Sequence, residues 1–147
     1  DRVRQSALAL ITSLLCGSLT AIATATGLGW LFSASRETLL SLAPKSVTAP
    51  VAMGITEQLD GLPSLTAVLV ILTGILGAVL GPPILKLIGV RDERAQGMAL
   101  GTASHGIGTA RALQSGELAG AFSGLAMGLN ALATAILLPL IWRLFFG

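Results

Sequence analysis

The sequence predicts an all-α membrane protein: polytopic transmembrane helices with two discontinuous segments, broken or re-entrant. Three observations carry that reading. Hydrophobic residues make up 53% of the 147 and charged residues only 11%, against about 25% charged in an average soluble domain, and mean hydropathy is +0.84. The stretches 5–35, 61–85 and 118–142 contain no Asp, Glu, Lys or Arg, and each exceeds the roughly 20 residues that a helix needs to cross hydrocarbon. Between them lie two polar segments broken by proline or glycine, which a bilayer tolerates only where they are buried in protein or line a watery cavity. Buried helices of a large soluble assembly are the alternative, and uncharged runs this long argue against it.

We read 1–147 as a single transmembrane domain with spans at about 6–34, 64–87 and 118–142 and broken segments at about 38–60 and 95–113. Arg2 and Arg4 precede the first apolar run as in a signal peptide, but the run exceeds an h-region of about 7–15 residues and further spans follow. Cys16 is the only cysteine and lies inside this span, so no intramolecular disulfide forms. After Arg36-Glu37 and the short apolar stretch 38–43 comes Pro44-Lys45-Ser46-Val47-Thr48-Ala49-Pro50. Each proline lacks an N–H and biases its predecessor away from the helical well, so no continuous helix runs through. A half-helix over 51–59 then starts with Pro50 near its first position, where proline is favoured. Asp60-Gly61 and Pro63 close it, and Ser64 to Leu87 forms the next span, with Pro82-Pro83 bending or ending its last turn.

Lys86, Arg91, Asp92, Glu93 and Arg94 form a dense charged loop. The pattern of 95–113 is interrupted by Gly101, Gly106 and Gly108, and 114–117 is a second polar turn. The last span is anchored by Trp142 and Arg143. Gly120, Gly124 and Gly128 form one stripe along it, and Gly74, Gly77 and Gly81 form another on the preceding long span. We expect tight contact at these stripes, the two packing on each other or across a dimer.

The formal charge of +2 and pI near 9.3 come from cations at span ends, which argues for membrane flanks and no nucleic-acid partner. If both broken segments cross, Arg2, Arg4 and Arg111 face one side and Arg36, Lys86, Arg91, Arg94 and Arg143 the other. If 38–59 enters and leaves on one side while 95–113 crosses, the division becomes six to two, leaving Lys45 aside. The positive-inside rule then places the N-terminus and the charged loop in the cytoplasm.

Candidate functional residues sit at the two breaks: Lys45, Ser46 and Thr48 at one, and Thr102, Ser104, His105, Thr109 and Arg111 at the other, the second containing the only histidine. Cations and hydroxyls beside helix breaks suit a small anion, because half-helix N-termini present free N–H groups and partial positive charge. An imidazole there can carry a proton. Each residue also has a plainer reading. Lys45 can snorkel to the interface, the hydroxyls can bond their own i−4 carbonyls, His105 can bond a neighbouring helix, and Arg111 can be an interfacial anchor. Asn130, midway along the last span, reads as helix-to-helix glue first and substrate ligand second. We read no metal site, no cofactor and no catalytic arrangement, since one His and one Cys far apart make no ligand set and His105 has no nucleophile in its frame.

The motifs Pro44-Lys45-Ser46-Val47-Thr48-Ala49-Pro50-Val51-Ala52-Met53, Thr73-Gly74-Ile75-Leu76-Gly77-Ala78, the run from Gly101 to Arg111, and Ser123-Gly124-Leu125-Ala126-Met127 with Asn130 together resemble the LrgB/CidB family of bacterial membrane proteins. The resemblance covers nearly the whole chain, and known members are longer at the N-terminus, so the chain looks like the C-terminal portion of one. It implies two functions. Bacterial members are described as holin- or antiholin-like modulators of murein hydrolase activity and cell lysis, beside a small LrgA/CidA-type partner. Plant relatives are plastid translocators of glycolate and glycerate, and bacterial relatives are linked to pyruvate uptake. The weight of the residues at the breaks favours a carrier of small monocarboxylates in the bacterial inner membrane, proton-coupled through His105 and assembled as a homo-oligomer. That reading expects the two breaks to meet around one polar site.

Overall fold

The computed structural model describes residues 2–146. Within them the chain forms six helices and no strand: α1 (Arg2–Leu31), α2 (Arg36–Leu42), α3 (Ala49–Gln58), α4 (Pro63–Leu87), α5 (Glu93–Ser115) and α6 (Glu117–Phe146). Ala7–Leu31, Pro63–Leu87 and Glu117–Leu144 are long and apolar enough to cross a membrane, matching the three expected spans. Exposed leucines, isoleucines and valines cover α4, Leu76 and Val79 among them, as a lipid-facing helix requires.

Local chemistry sets the boundaries. The Ser35 hydroxyl accepts the Thr38 N–H at 3.3 Å to start α2, and Asp92 Oδ1 accepts from Arg94 and Ala95 at 2.8 and 3.1 Å to start α5. Pro63 opens α4 and Pro50 lies in the second position of α3, where a missing N–H costs nothing. Pro82 and Pro83 do not end α4, which continues to Leu87. Their two lost N–H bonds are local, and Ile88 N–H to the Ile84 carbonyl at 3.0 Å resumes the winding.

The main departure from the sequence reading is α5, which does not cross. At His105 the backbone leaves the helix, with φ 43° and ψ −132°, and the chain turns back. Gly108 comes against the Leu100 carbonyl, and Gly116 lies near the Glu93 carboxylate, although a straight helix would hold these pairs about 12 and 34 Å apart. Residues 93–104 and 106–115 are thus antiparallel arms of a hairpin with His105 at its tip, and the absent side chain of Gly108 is what lets the arms close.

The segment between α1 and α4 folds similarly. α2 and α3 are separated by the non-helical residues 43–48. Their outer parts are tied by Ser41, Thr56 and Thr66: Thr66 Oγ1 donates to the Ser41 carbonyl at 3.2 Å and lies 2.9 Å from Thr56 Oγ1. This hairpin joins α4 at its start and the α5 hairpin joins it at its end, so the two enter the bundle from opposite ends. Lys86, Arg91, Arg94 and Arg111 therefore share one end with the start of α1, and Arg36 and Arg143 share the other. The division is again six to two, but Arg111 and Arg143 exchange sides relative to the expectation in which 95–113 crosses.

The glycine stripes also pack differently from expectation. Gly74, Gly77 and Gly81 of α4 receive His105, Ser104 and Leu100 of α5, while Gly97 and Gly101 of α5 abut the backbone of Ala119 and Ser123 of α6. The first arm of α5 thus lies between α4 and α6. Gly124 and Gly128 have nothing within 4 Å.

Replacing Gly101 by Ala would put a methyl against the Ser123 backbone, whose C and Cα stand 2.9 Å from the Cβ position. We expect a loss of about 1–3 kcal/mol, read as a lower unfolding midpoint in detergent, whereas Gly124→Leu leaves the monomer's midpoint unchanged.

Candidate functional site

The tips of both hairpins meet at Asn130, in the middle of α6. Its Nδ2 donates to the Thr102 carbonyl at 3.0 Å and to the Ser46 carbonyl at 3.3 Å. A carbonyl only accepts, so the end of the amide facing them is the nitrogen. Asn130 is 1% exposed, and its Oδ1 is buried with no hydrogen-bond partner among the described residues. One polar side chain in an apolar span thus satisfies a backbone carbonyl from each break, groups that hydrocarbon leaves unpaired at a cost of several kcal/mol.

The other candidates divide around this point. Lys45 is half-buried at the α2–α3 tip, and its ammonium donates to Ser46 Oγ at 3.4 Å. No carboxylate pairs with it among the described residues. Thr48 precedes α3 as its N-cap residue but makes no side-chain capping bond; since Pro50 has no N–H and the Ala52 N–H is bonded to the Thr48 carbonyl, the first turn offers only the Ala49 and Val51 N–H groups. Ser46, Thr102, Ser104 and His105 are all buried. His105 Nε2 lies 2.9 Å from the Val70 carbonyl of α4. Because that carbonyl only accepts, Nε2 carries the hydrogen and Nδ1 is left to take or release a proton. Thr109 donates to the His105 carbonyl at 2.9 Å and lies 2.9 Å from Ser123 Oγ, so it braces the turn instead of facing the tips. Arg111 is exposed and bonds Gln114 at 3.1 Å; the structure does not bring it to the others.

Sequence reasoning missed three contributors. Ser123 supports Thr109 from α6, Val70 orients the imidazole through its carbonyl, and Gly74 leaves room for the ring, which would stand 2.7 Å from a Cβ there. A backbone carbonyl carries no side-chain signal, but Gly74 was legible as a small residue on a long span. A cavity of about 660 Å³ between α1, α5 and α6 runs beside Arg94, Phe122 and Met98 and reaches Thr102. It runs from the charged-loop end of the bundle along the first arm of α5 as far as Thr102 and Ala103, with mostly apolar walls.

The His105 backbone occupies a region that glycine favours, at a cost of about 1–3 kcal/mol for another residue. His105→Gly and His105→Ala both lose the bond to Val70, but only glycine relieves the backbone. We expect His105→Gly to be the more stable of the two by about 1 kcal/mol or more, measured by unfolding in detergent.

The LrgB-like family profile matches residues 1–144. YxaC of Bacillus subtilis is 45% identical over 114 residues, which is 78% of this chain and 50% of that protein. The Holin-like protein CidB of Staphylococcus epidermidis is 36% identical over 116 residues, 79% of this chain and 51% of its own length. A Haemophilus influenzae protein is 30% identical over 137 residues, 93% and 59% of the two chains. The chain thus spans about half the length of the curated relatives it matches, and no solved structure matches it. Three long apolar helices and this match together establish an integral membrane protein, and the chain belongs to the LrgB family.

Proposed function

We propose that this chain forms the ligand-handling portion of a carrier for small monocarboxylates of the glycolate, glycerate or pyruvate type in the bacterial inner membrane. The observation that carries the reading is the meeting of two opposed hairpin tips at Asn130 with a lysine beside them that has no carboxylate partner among the described residues. Each returning arm starts at its tip, so α3 and the second arm of α5 direct helix N-termini, with their partial positive charge, at the same buried region. Lys45 adds a full charge, and Ser46 and Thr48 add hydroxyl donors. A carboxylate takes its bonds from these groups, and the Nδ1 atom of His105 holds the proton that accompanies it. The cavity ending at Thr102 provides an approach from the charged-loop end, which the excess of cations assigns to the cytoplasm.

A second reading is a holin-like regulator of murein hydrolase activity and lysis, assembled with an LrgA/CidA-type partner or as a homo-oligomer. The name Holin-like protein carried by the Staphylococcus relatives favours it. A pore, however, gives no reason to bring a lysine, a histidine and two helix breaks to one buried point.

Uptake of labelled glycolate and pyruvate by proteoliposomes holding only the full-length protein separates the two. Saturable uptake is expected for the carrier; dye leakage without saturation supports the pore. Within the carrier, Lys45→Ala and His105→Ala each remove a charge-assisted bond of about 1.5–3 kcal/mol, equivalent to roughly ten- to hundredfold weaker affinity. Unchanged uptake kinetics in both variants would remove the assignment.

A further inference from the structure

The two hairpins are attached to the bundle at opposite ends of α4, and they touch at one side chain. We propose that Asn130 is a positioning residue that interlocks two opposed gates: its amide nitrogen holds both hairpin tips closed together, and either hairpin opens toward its own end by giving up its bond to that nitrogen, the α5 hairpin releasing the bond of His105 Nε2 to the Val70 carbonyl as well. The inference rests on the carrier reading, in which a buried site must be exposed alternately to the two ends.

Three observations support it. The bonds from Asn130 Nδ2 go to backbone carbonyls, Ser46 in the α2–α3 tip and Thr102 in the α5 hairpin, so they fix the path of each tip whatever its side chains do. Each hairpin is also anchored to a long helix, Ser41 and Thr56 to Thr66 of α4 in one and Leu100 and Ala112 to Ala119 of α6 in the other. A tip can therefore swing while its base stays packed. The closed arrangement also leaves Asn130 Oδ1 buried without a donor, a cost relieved when an opening tip admits water or a ligand hydroxyl.

The α5 tip has a built-in hinge. His105 holds φ 43° with ψ −132°, and glycine follows at position 106, so the backbone turn can relax as the Thr102 carbonyl leaves Asn130. The α2–α3 tip is stiffer, since Pro44 and Pro50 bracket it. It moves as a unit about its outer end.

The test uses full-length protein carrying Cys16→Ser, with Ser46→Cys or Ser104→Cys introduced one at a time, Ser104 being buried and outside the lining of the cavity that reaches Thr102. The probe is a membrane-impermeant maleimide applied from either side of oriented vesicles. With Asn130 present we expect slow labelling, the Ser46→Cys thiol reacting from the α2–α3 side and the Ser104→Cys thiol from the other. Asn130→Ala should raise labelling at both positions together, about tenfold or more, and lower maximal uptake more than it changes the half-saturating concentration. If Asn130→Ala does not reach the membrane, Asn130→Ser keeps one donor and should free one tip while the other stays slow. Labelling that rises at neither position, or identical reactivity from both sides, overturns the interlock even where uptake is saturable. Absence of glycolate and pyruvate uptake in the unaltered protein removes the carrier reading, and gating with it, whatever the labelling rates.

Discussion

Two backbone carbonyls from segments 56 residues apart, Ser46 and Thr102, share one amide nitrogen in the middle of α6, and the placement of both hairpins depends on that sharing. A chain that turns back inside a bilayer must release carbonyls and N–H groups at the turn, with no water to receive them. Meeting at a common point lets one side chain serve both turns. Each bond in isolation contributes about 1 kcal/mol or less in a membrane protein. Leaving either carbonyl unpaired costs more than the bond contributes, so the constraint acts by exclusion: few other arrangements keep both turns buried and satisfied.

Close backbone approach is the second constraint, and it serves the first. α5 wedges between α4 and α6 because glycines on α4 and α5 leave no side chains in the way. Gly74 and Gly77 admit His105 and Ser104, Gly97 and Gly101 admit the backbone of α6, and Gly108 admits the other arm of the same hairpin. Packing in lipid has no hydrophobic advantage over contact with acyl chains, so van der Waals fit decides which helices touch. The same fit carries the imidazole to the Val70 carbonyl and so determines which nitrogen of His105 stays free. Chemistry at the tip is a consequence of small residues elsewhere.

The strained turn at His105 belongs to this economy. A glycine there would turn without cost, and glycines stand at 101, 106 and 108. The residue with the unfavourable φ is nevertheless the histidine, held by its bond to α4 and by Thr109, which caps the carbonyl of the strained residue.

The sequence by itself determined the class and the three long apolar helices, and it marked where prolines and glycines interrupt the helical pattern between them. Uncharged runs longer than the hydrocarbon is thick leave a helix no alternative, and Pro44 and Pro50 remove the N–H groups that a continuous helix needs. It also marked the residues with chemistry to offer, because a lysine or histidine at membrane depth is costly wherever it sits. It did not determine which way the chain leaves each break. Glycine at 101, 106 and 108 is compatible with a crossing helix and with a hairpin, and the choice came from whether the returning arm finds a surface without side chains to lie against. For the same reason Arg111 proved exposed and Asn130 central: both are polar residues in apolar surroundings when read along the chain. Only the tertiary structure, by pairing carbonyls 56 residues apart on one amide, decided which of them the site is built around.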